Sequence, residues 1–150
     1  MRPLRSVLVA FLVLVSGCFN DPLSSSEERQ LREAKELWAE KGGLNYTVES
    51  RLSCFCPTHL AYWTKVTVRN GAVTAAEPVD PLPAFAEPSI VGWSTIAELF
   101  ARIEERDAVV TDIDARFDPA LGYPLEVTIR CQSNVADCGS SYTTRNLTIP

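Results

Sequence analysis

Apolar side chains recur at intervals of three and four through residues 28–41, where Leu31, Ala34, Leu37 and Trp38 fall on one stripe of a helix. Ser25 or Ser26 is placed to cap that helix, Glu27 and Glu28 suit its positive end, and Gly42-Gly43 stop it. From residue 45 to 56 the period falls to two. Tyr46, Val48, Leu52, Cys54 and Cys56 share one face and Thr47, Glu49, Arg51 and Ser53 the other, as in a half-buried strand. Residues 62–69 and 72–76 flank Asn70-Gly71, a pair that tolerates positive φ at both turn positions, so they predict a hairpin. Residues 77–92 contain Pro78, Pro81, Pro83 and Pro88 and lack the backbone donors for an element, which makes them a stiff surface loop.

The second half repeats these signals. Thr95 with Glu98 forms a capping box at the head of residues 94–106, whose buried stripe is Ile96, Leu99, Phe100 and Ile103. Alternating runs at 109–117 and 125–131 are joined through Asp118-Pro119-Ala120-Leu121-Gly122-Tyr123-Pro124 as another hairpin, and 142–149 is a last strand. No internal repeat is evident. The pattern predicts an α+β two-layer sandwich, a mostly antiparallel sheet of about five or six strands with both helices on one face, in the order α-β-β-β-α-β-β-β.

The N-terminus follows a different logic. Arg2 and Arg5 precede an apolar run over residues 7–15, and Ser16-Gly17 lead directly to Cys18. The run falls well short of the roughly 20 apolar residues of a membrane-spanning helix, and the Ala-x-Ala site of an ordinary secretory signal is absent. Small residues before a cysteine instead match a bacterial lipoprotein signal. On this reading residues 1–17 are removed, Cys18 carries acyl chains such as palmitate and becomes the first residue, 18–26 are a tether, and 27–150 form one domain. The protein then lies in the bacterial cell envelope, with the membrane as a partner through its anchor. Phe19, in place of an acidic residue after the cysteine, points to the outer membrane.

Charge narrows the partners. The whole chain has 14 Lys and Arg against 19 Asp and Glu. Loss of Arg2 and Arg5 with the signal leaves 12 against the same 19, a formal charge of −7. Scattered basic residues in an acidic chain exclude nucleic acid as a partner, and with it a polybasic membrane patch.

Export also makes disulfides persistent. Setting Cys18 aside leaves Cys54, Cys56, Cys131 and Cys138, which allow three pairings. Cys54-x-Cys56-x-x-His59 has three zinc-type ligands, but its spacing is neither that of structural zinc sites nor the Cys-x-x-Cys-His of a haem attachment. No metal or cofactor beyond the lipid is therefore expected, and His59 is read as an ordinary loop histidine. A thiol–disulfide redox protein using Cys54 and Cys56 is the enzymatic alternative, although no basic residue adjoins them to lower a thiol pKa. With one histidine and no Gly-x-Ser-x-Gly element, a hydrolytic triad has little to build on. Asp112 and Asp114 alternate onto one strand face, where acids serve solvation. Tyr62, Trp63 and Trp93 are candidates for either a binding surface or a plug at the sheet edge. The chain thus reads as a non-catalytic binding or interaction module for an unknown envelope protein, with no catalytic residue assigned. Inhibition of a secreted hydrolase is a further alternative, resting on fold analogy.

Trp38, Tyr46, Cys54-Phe55-Cys56-Pro57, Val66-Thr67-Val68-Arg69-Asn70-Gly71, Ile96-Leu99-Phe100 and Asp118 through Gly122-Tyr123-Pro124 occur in an order that resembles the DUF6174 family, small bacterial envelope lipoproteins catalogued as a domain of unknown function. The resemblance spans about residues 30–135 and implies no known activity. It departs after Ile129, where this chain has Arg130-Cys131 and later Asp137-Cys138-Gly139. Members can carry the Cys-x-Cys without a later pair, so the resemblance implies Cys54–Cys56 and Cys131–Cys138 bridges. Residues two apart in a regular strand lie near the upper limit for bridging, so the first bond calls for a kink at Phe55-Cys56-Pro57.

Overall fold

A computed structural model describes residues 23–105 and 107–150. The elements run α1 (Ser25–Lys41), β1 (Tyr46–Ser53), a short 3-10 turn (Thr58–Ala61), β2 (Thr64–Arg69), β3 (Ala72–Pro78), α2 (Ile96–Glu104), β4 (Val110–Phe117), β5 (Pro124–Cys131) and β6 (Ser140–Thr148). Two helices and a six-stranded antiparallel sheet thus appear in the expected order. The sheet order is β3-β2-β1-β6-β5-β4, two three-stranded meanders joined through β1 and β6 at the centre. In consequence β1, β3 and β5 end, and β2, β4 and β6 begin, at the same end of the sheet.

Side-chain alternation decides which face is covered. Tyr46, Val48 and Leu52 of β1, Val66 and Val68 of β2, Ile113 of β4, Val127 of β5 and Tyr142 of β6 point to one core. Leu31 and Ala34 of α1 and Ile96, Leu99, Phe100 and Ile103 of α2 close over it. Val66, Val68, Ile96 and Ile103 are wholly buried, each contributing about 1.5–3 kcal/mol. The opposite face is open and carries cross-strand ion pairs: Glu49 with Arg145, Lys65 with Glu77, Arg116 with Glu126, and Asp112 with Arg130.

Trp38, Tyr46, the Asn70-Gly71 turn and the Asp118–Pro124 turn converge at the other end, where β1, β3 and β5 begin. Trp38 of α1 lies edge-on to Tyr46, ring centroids 5.4 Å apart, and to Tyr123 at 6.4 Å. Asp118 accepts from the amides of Ala120 and Leu121 and so shapes the β4–β5 turn. Gly122 adopts φ +80°, and a Cβ there would lie 2.3 Å from the carbonyl oxygen of Ala34, so α1 rests directly on this turn. The Asn70-Gly71 turn is tied to the chain before β1, through Asn70 N–H to Asn45 Oδ1 and Gly71 N–H to the Leu44 carbonyl.

Several boundaries differ from the sequence pattern. Ser24, rather than Ser25 or Ser26, caps α1, with Glu27 completing a reciprocal box. Leu23 is buried in the core, so the fold already includes residues assigned to the tether. Strand β1 stops at Ser53, three residues early, because Cys54–Cys56 turns the chain out of the ladder. Helix α2 ends at Glu104 rather than 106. The signal segment and Cys18 lie outside the described residues.

Candidate functional site

The end of the sheet where β1, β3 and β5 finish gathers both cysteine pairs, His59 and the proline-rich loop. Cys54 bonds Cys56 across a Cα separation of 5.2 Å, and Cys131 bonds Cys138 across 6.0 Å. Of the three pairings, the chain adopts the one made of two local bridges, as the resemblance implied. The kink lies at Phe55, a residue that is 82% exposed. Cys138 lies just ahead of β6 and Cys131 closes β5, so the second bridge spans the connection between neighbouring strands.

Residues 79–92 are pinned despite having no regular element. Val79 N–H donates to the Trp63 carbonyl at 2.8 Å and Ala86 N–H to Pro83 at 2.9 Å. Val91 N–H donates to Ser89 Oγ at 3.1 Å, and Trp93 Nε1 donates to the Ser89 carbonyl at 3.0 Å. His59 Nε2 lies 3.0 Å from the Val91 carbonyl, and its ring stands edge-on to Trp93 with centroids 6.2 Å apart. His59 therefore sits in the 3-10 turn and clasps the loop, a structural task the sequence does not disclose.

These ties hold large apolar side chains outward. Phe85 is 80% exposed and Val91 72%. Ile90, Val79 and Phe55 join them on the same end. No Lys or Arg occurs between Asn70 and Ala101; Glu77 is paired with Lys65 and Glu98 caps α2, which leaves Asp80 and Glu87 as the acids of the loop that carries these apolar tips. Apolar tips with an acidic rim suit contact with another molecule's recess, since each Phe ring removed from water contributes about 1.5–3 kcal/mol. The alternation of proline with Val79, Leu82, Phe85 and Ile90 is the signal that would have marked them.

The other proposed chemistry is dispersed. Trp93 is buried in the core, Tyr62 is half-buried, and Trp63 stands on the open face of the sheet, so the three aromatics do not form one surface. Asp112 is paired with Arg130, and Asp114 lies opposite Thr128. Cys54 and Cys56 are joined to each other. Among the described residues no group of three His, Cys, Asp or Glu side chains is placed to hold a metal ion.

Tyr46 links the core to α2. Its hydroxyl accepts from the Ile96 amide at 2.7 Å, filling an open position at the helix start. Burial pushes the phenol up to about 12, with the Glu98 carboxylate adding to the rise. Glu49, on the open face, is held below the usual carboxylate range chiefly by its hydrogen bond from Arg145.

A family model, described as a family of unknown function (DUF6174), matches residues 30–149. No curated protein and no solved structure matches the chain.

Proposed function

We propose a role for a chain that belongs to the family of unknown function DUF6174: a lipid-anchored protein of the bacterial cell envelope, sorted to the outer membrane, that acts as a non-catalytic interaction module. The observation that carries the docking half is the set of outward Phe55, Val79, Phe85, Ile90 and Val91 side chains on hydrogen-bonded loops at one end. A protein that exposes such a set in preorganised form loses little conformational entropy when it docks. The occupant that fits is an envelope protein with an apolar recess and a basic rim, complementary to Asp80 and Glu87. Acylation at Cys18 would confine the domain to a surface and raise its effective concentration near that partner, so a weak contact suffices.

The two halves have separate tests. Globomycin treatment should leave a larger precursor, and Cys18→Ala should release the protein from the membrane fraction. An unchanged precursor size, or a Cys18→Ala protein that still sediments with membranes, refutes the anchor. For docking, a photo-cross-linker at position 85 in living cells should give one discrete protein adduct. That adduct should be lost with Phe55→Ser and with the charge reversals Asp80→Lys and Glu87→Lys. Adducts to lipid alone, or adducts indifferent to both changes, refute the docking end.

A further inference from the structure

The open face of the sheet holds a second arrangement, independent of the anchor and of the loop end. Trp63 precedes β2 on the face of Lys65, and two guanidinium groups sit on its indole, Arg145 with Cζ 3.9 Å from the ring centroid and Arg51 at 4.9 Å. They come from adjacent strands, β1 and β6. Arg145 is aimed there by an irregularity in a central strand: the register between β1 and β6 slips between Thr47 and Glu49, and Asn146 takes φ +52°. A bulge of this kind redirects the neighbouring side chain. Glu49 takes only the Nε of Arg145, at 2.7 Å. Among the described residues no carboxylate pairs with Arg51.

Two cations therefore share one ring, and a carboxylate meets only Arg145. A guanidinium held over an indole face has already lost rotamer freedom, which lowers the entropy lost when its remaining donors meet a planar acceptor. Ser53, Ser141, Thr143 and Thr128 share this face, with Thr128 Oγ1 and Ser141 Oγ 3.3 Å apart, and supply hydroxyl donors beside Arg51. We propose that Arg51, Trp63 and Arg145 form an oxyanion site that takes a carboxylate or a phosphate on the open sheet face. The chain's net negative charge repels anions at a distance, so affinity comes from contact. A dissociation constant of about 1 mM fits one exposed charge-assisted fork.

Arginine modification by phenylglyoxal, read residue by residue by mass spectrometry on the full chain in neutral detergent, tests this. At about 2 mM citrate or inorganic phosphate, with sodium chloride matching ionic strength, Arg51 should react about threefold more slowly. Arg69, exposed on β2 without an aromatic partner, should be unaffected. In Arg51→Gln, which leaves a solvent-facing strand position filled, the protection of Arg145 should vanish. Vesicles containing phosphatidylglycerol form the second arm: protection by free anions assigns a soluble ligand, and protection by vesicles alone assigns a lipid headgroup. Equal slowing at Arg51 and Arg69, no slowing in either arm, or Arg145 still protected in Arg51→Gln would overturn the site.

Discussion

Replacing Tyr46 by Phe removes one oxygen and leaves everything else in place. The ring stays edge-on to Trp38 at 5.4 Å, and the residue is only 2% exposed, so no water replaces the lost acceptor. The Ile96 amide, 2.7 Å from that oxygen in the parent, becomes an unsatisfied donor at the head of α2. Stranding a buried donor costs about 1–3 kcal/mol, or about 3–5 °C in melting temperature per kcal/mol for a domain of this size. The pH dependence supplies an independent check. The phenol ionises near 10 when unfolded, and burial raises it to about 12 in the fold. A group raised on folding contributes stability that is fully present below its unfolded pKa and is lost as pH rises through the folded one. The parent should therefore lose about 1.4 kcal/mol from this group by pH 11. Phe does not titrate, so the gap between the two proteins should narrow from pH 10 to 12 in urea unfolding monitored by circular dichroism. A variant within about 0.3 kcal/mol of the parent at pH 7, or two pH curves that stay parallel, would refute the assignment of this hydroxyl as the acceptor for the Ile96 amide.

Gly122→Ala places a Cβ 2.3 Å from the Ala34 carbonyl at φ +80° and should cost about 2–4 kcal/mol. Gly43→Ala, whose nearest neighbour would lie at 3.9 Å, should stay within about 0.5 kcal/mol by the same unfolding assay. Thr95→Ala removes the cap that accepts from Glu98 N–H at 3.2 Å and should lose about 1 kcal/mol, with Thr95→Ser restoring most of it. Tryptic peptides under non-reducing conditions should carry Cys54 with Cys56 and Cys131 with Cys138, and a peptide linking the two regions would contradict the fold. Opening the longer Cys131–Cys138 loop by double serine substitution should cost more, about 2.5 against 1.6 kcal/mol for Cys54–Cys56. Under mild reductant all four thiols should resist alkylation equally, and early trapping of Cys54 and Cys56 alone would support the redox reading instead.

Signals confined to a few neighbouring residues were legible in the sequence. Thr95 with Glu98, Asn70-Gly71 and the 3.6-residue stripes of both helices each act within one turn of chain, and each appears where the pattern placed it. What depends on distant chain was not legible. The β1–β6 pairing joins residues nearly 100 positions apart, from Glu49 to Arg145, and no local spacing encodes it. Leu23 reads as part of a polar tether because its burial depends on a core assembled by later residues. The cysteines favoured no pairing by count, and the strand period of Cys54 and Cys56 concealed that their bond ends the strand. Of the three aromatics considered together, only their final positions separate Trp93 in the core from Trp63 between two arginines.

The edges of the sheet bear on where a partner can approach. An unpaired edge strand invites strand addition by another chain, and this sheet has two, β3 and β4. Both are interrupted in the same way. The register against β2 slips at Thr74, whose hydroxyl donates to the Thr67 carbonyl at 3.2 Å. The register against β5 slips at Thr111, whose hydroxyl donates to the Arg130 carbonyl at 3.3 Å. In each case the threonine gives back a bond to the inner strand where the ladder is broken, while the bulge twists the outer edge away from a flat template. Pro78 at the end of β3, and Asp112, Asp114 and Arg116 on β4, add a missing donor and fixed charge. Strand addition is thereby disfavoured on both sides, which leaves side-chain contacts as the means of association. Those contacts are concentrated at the loop end and on the Arg51–Trp63–Arg145 face, where Arg51 lies three positions before the bridge at Cys54.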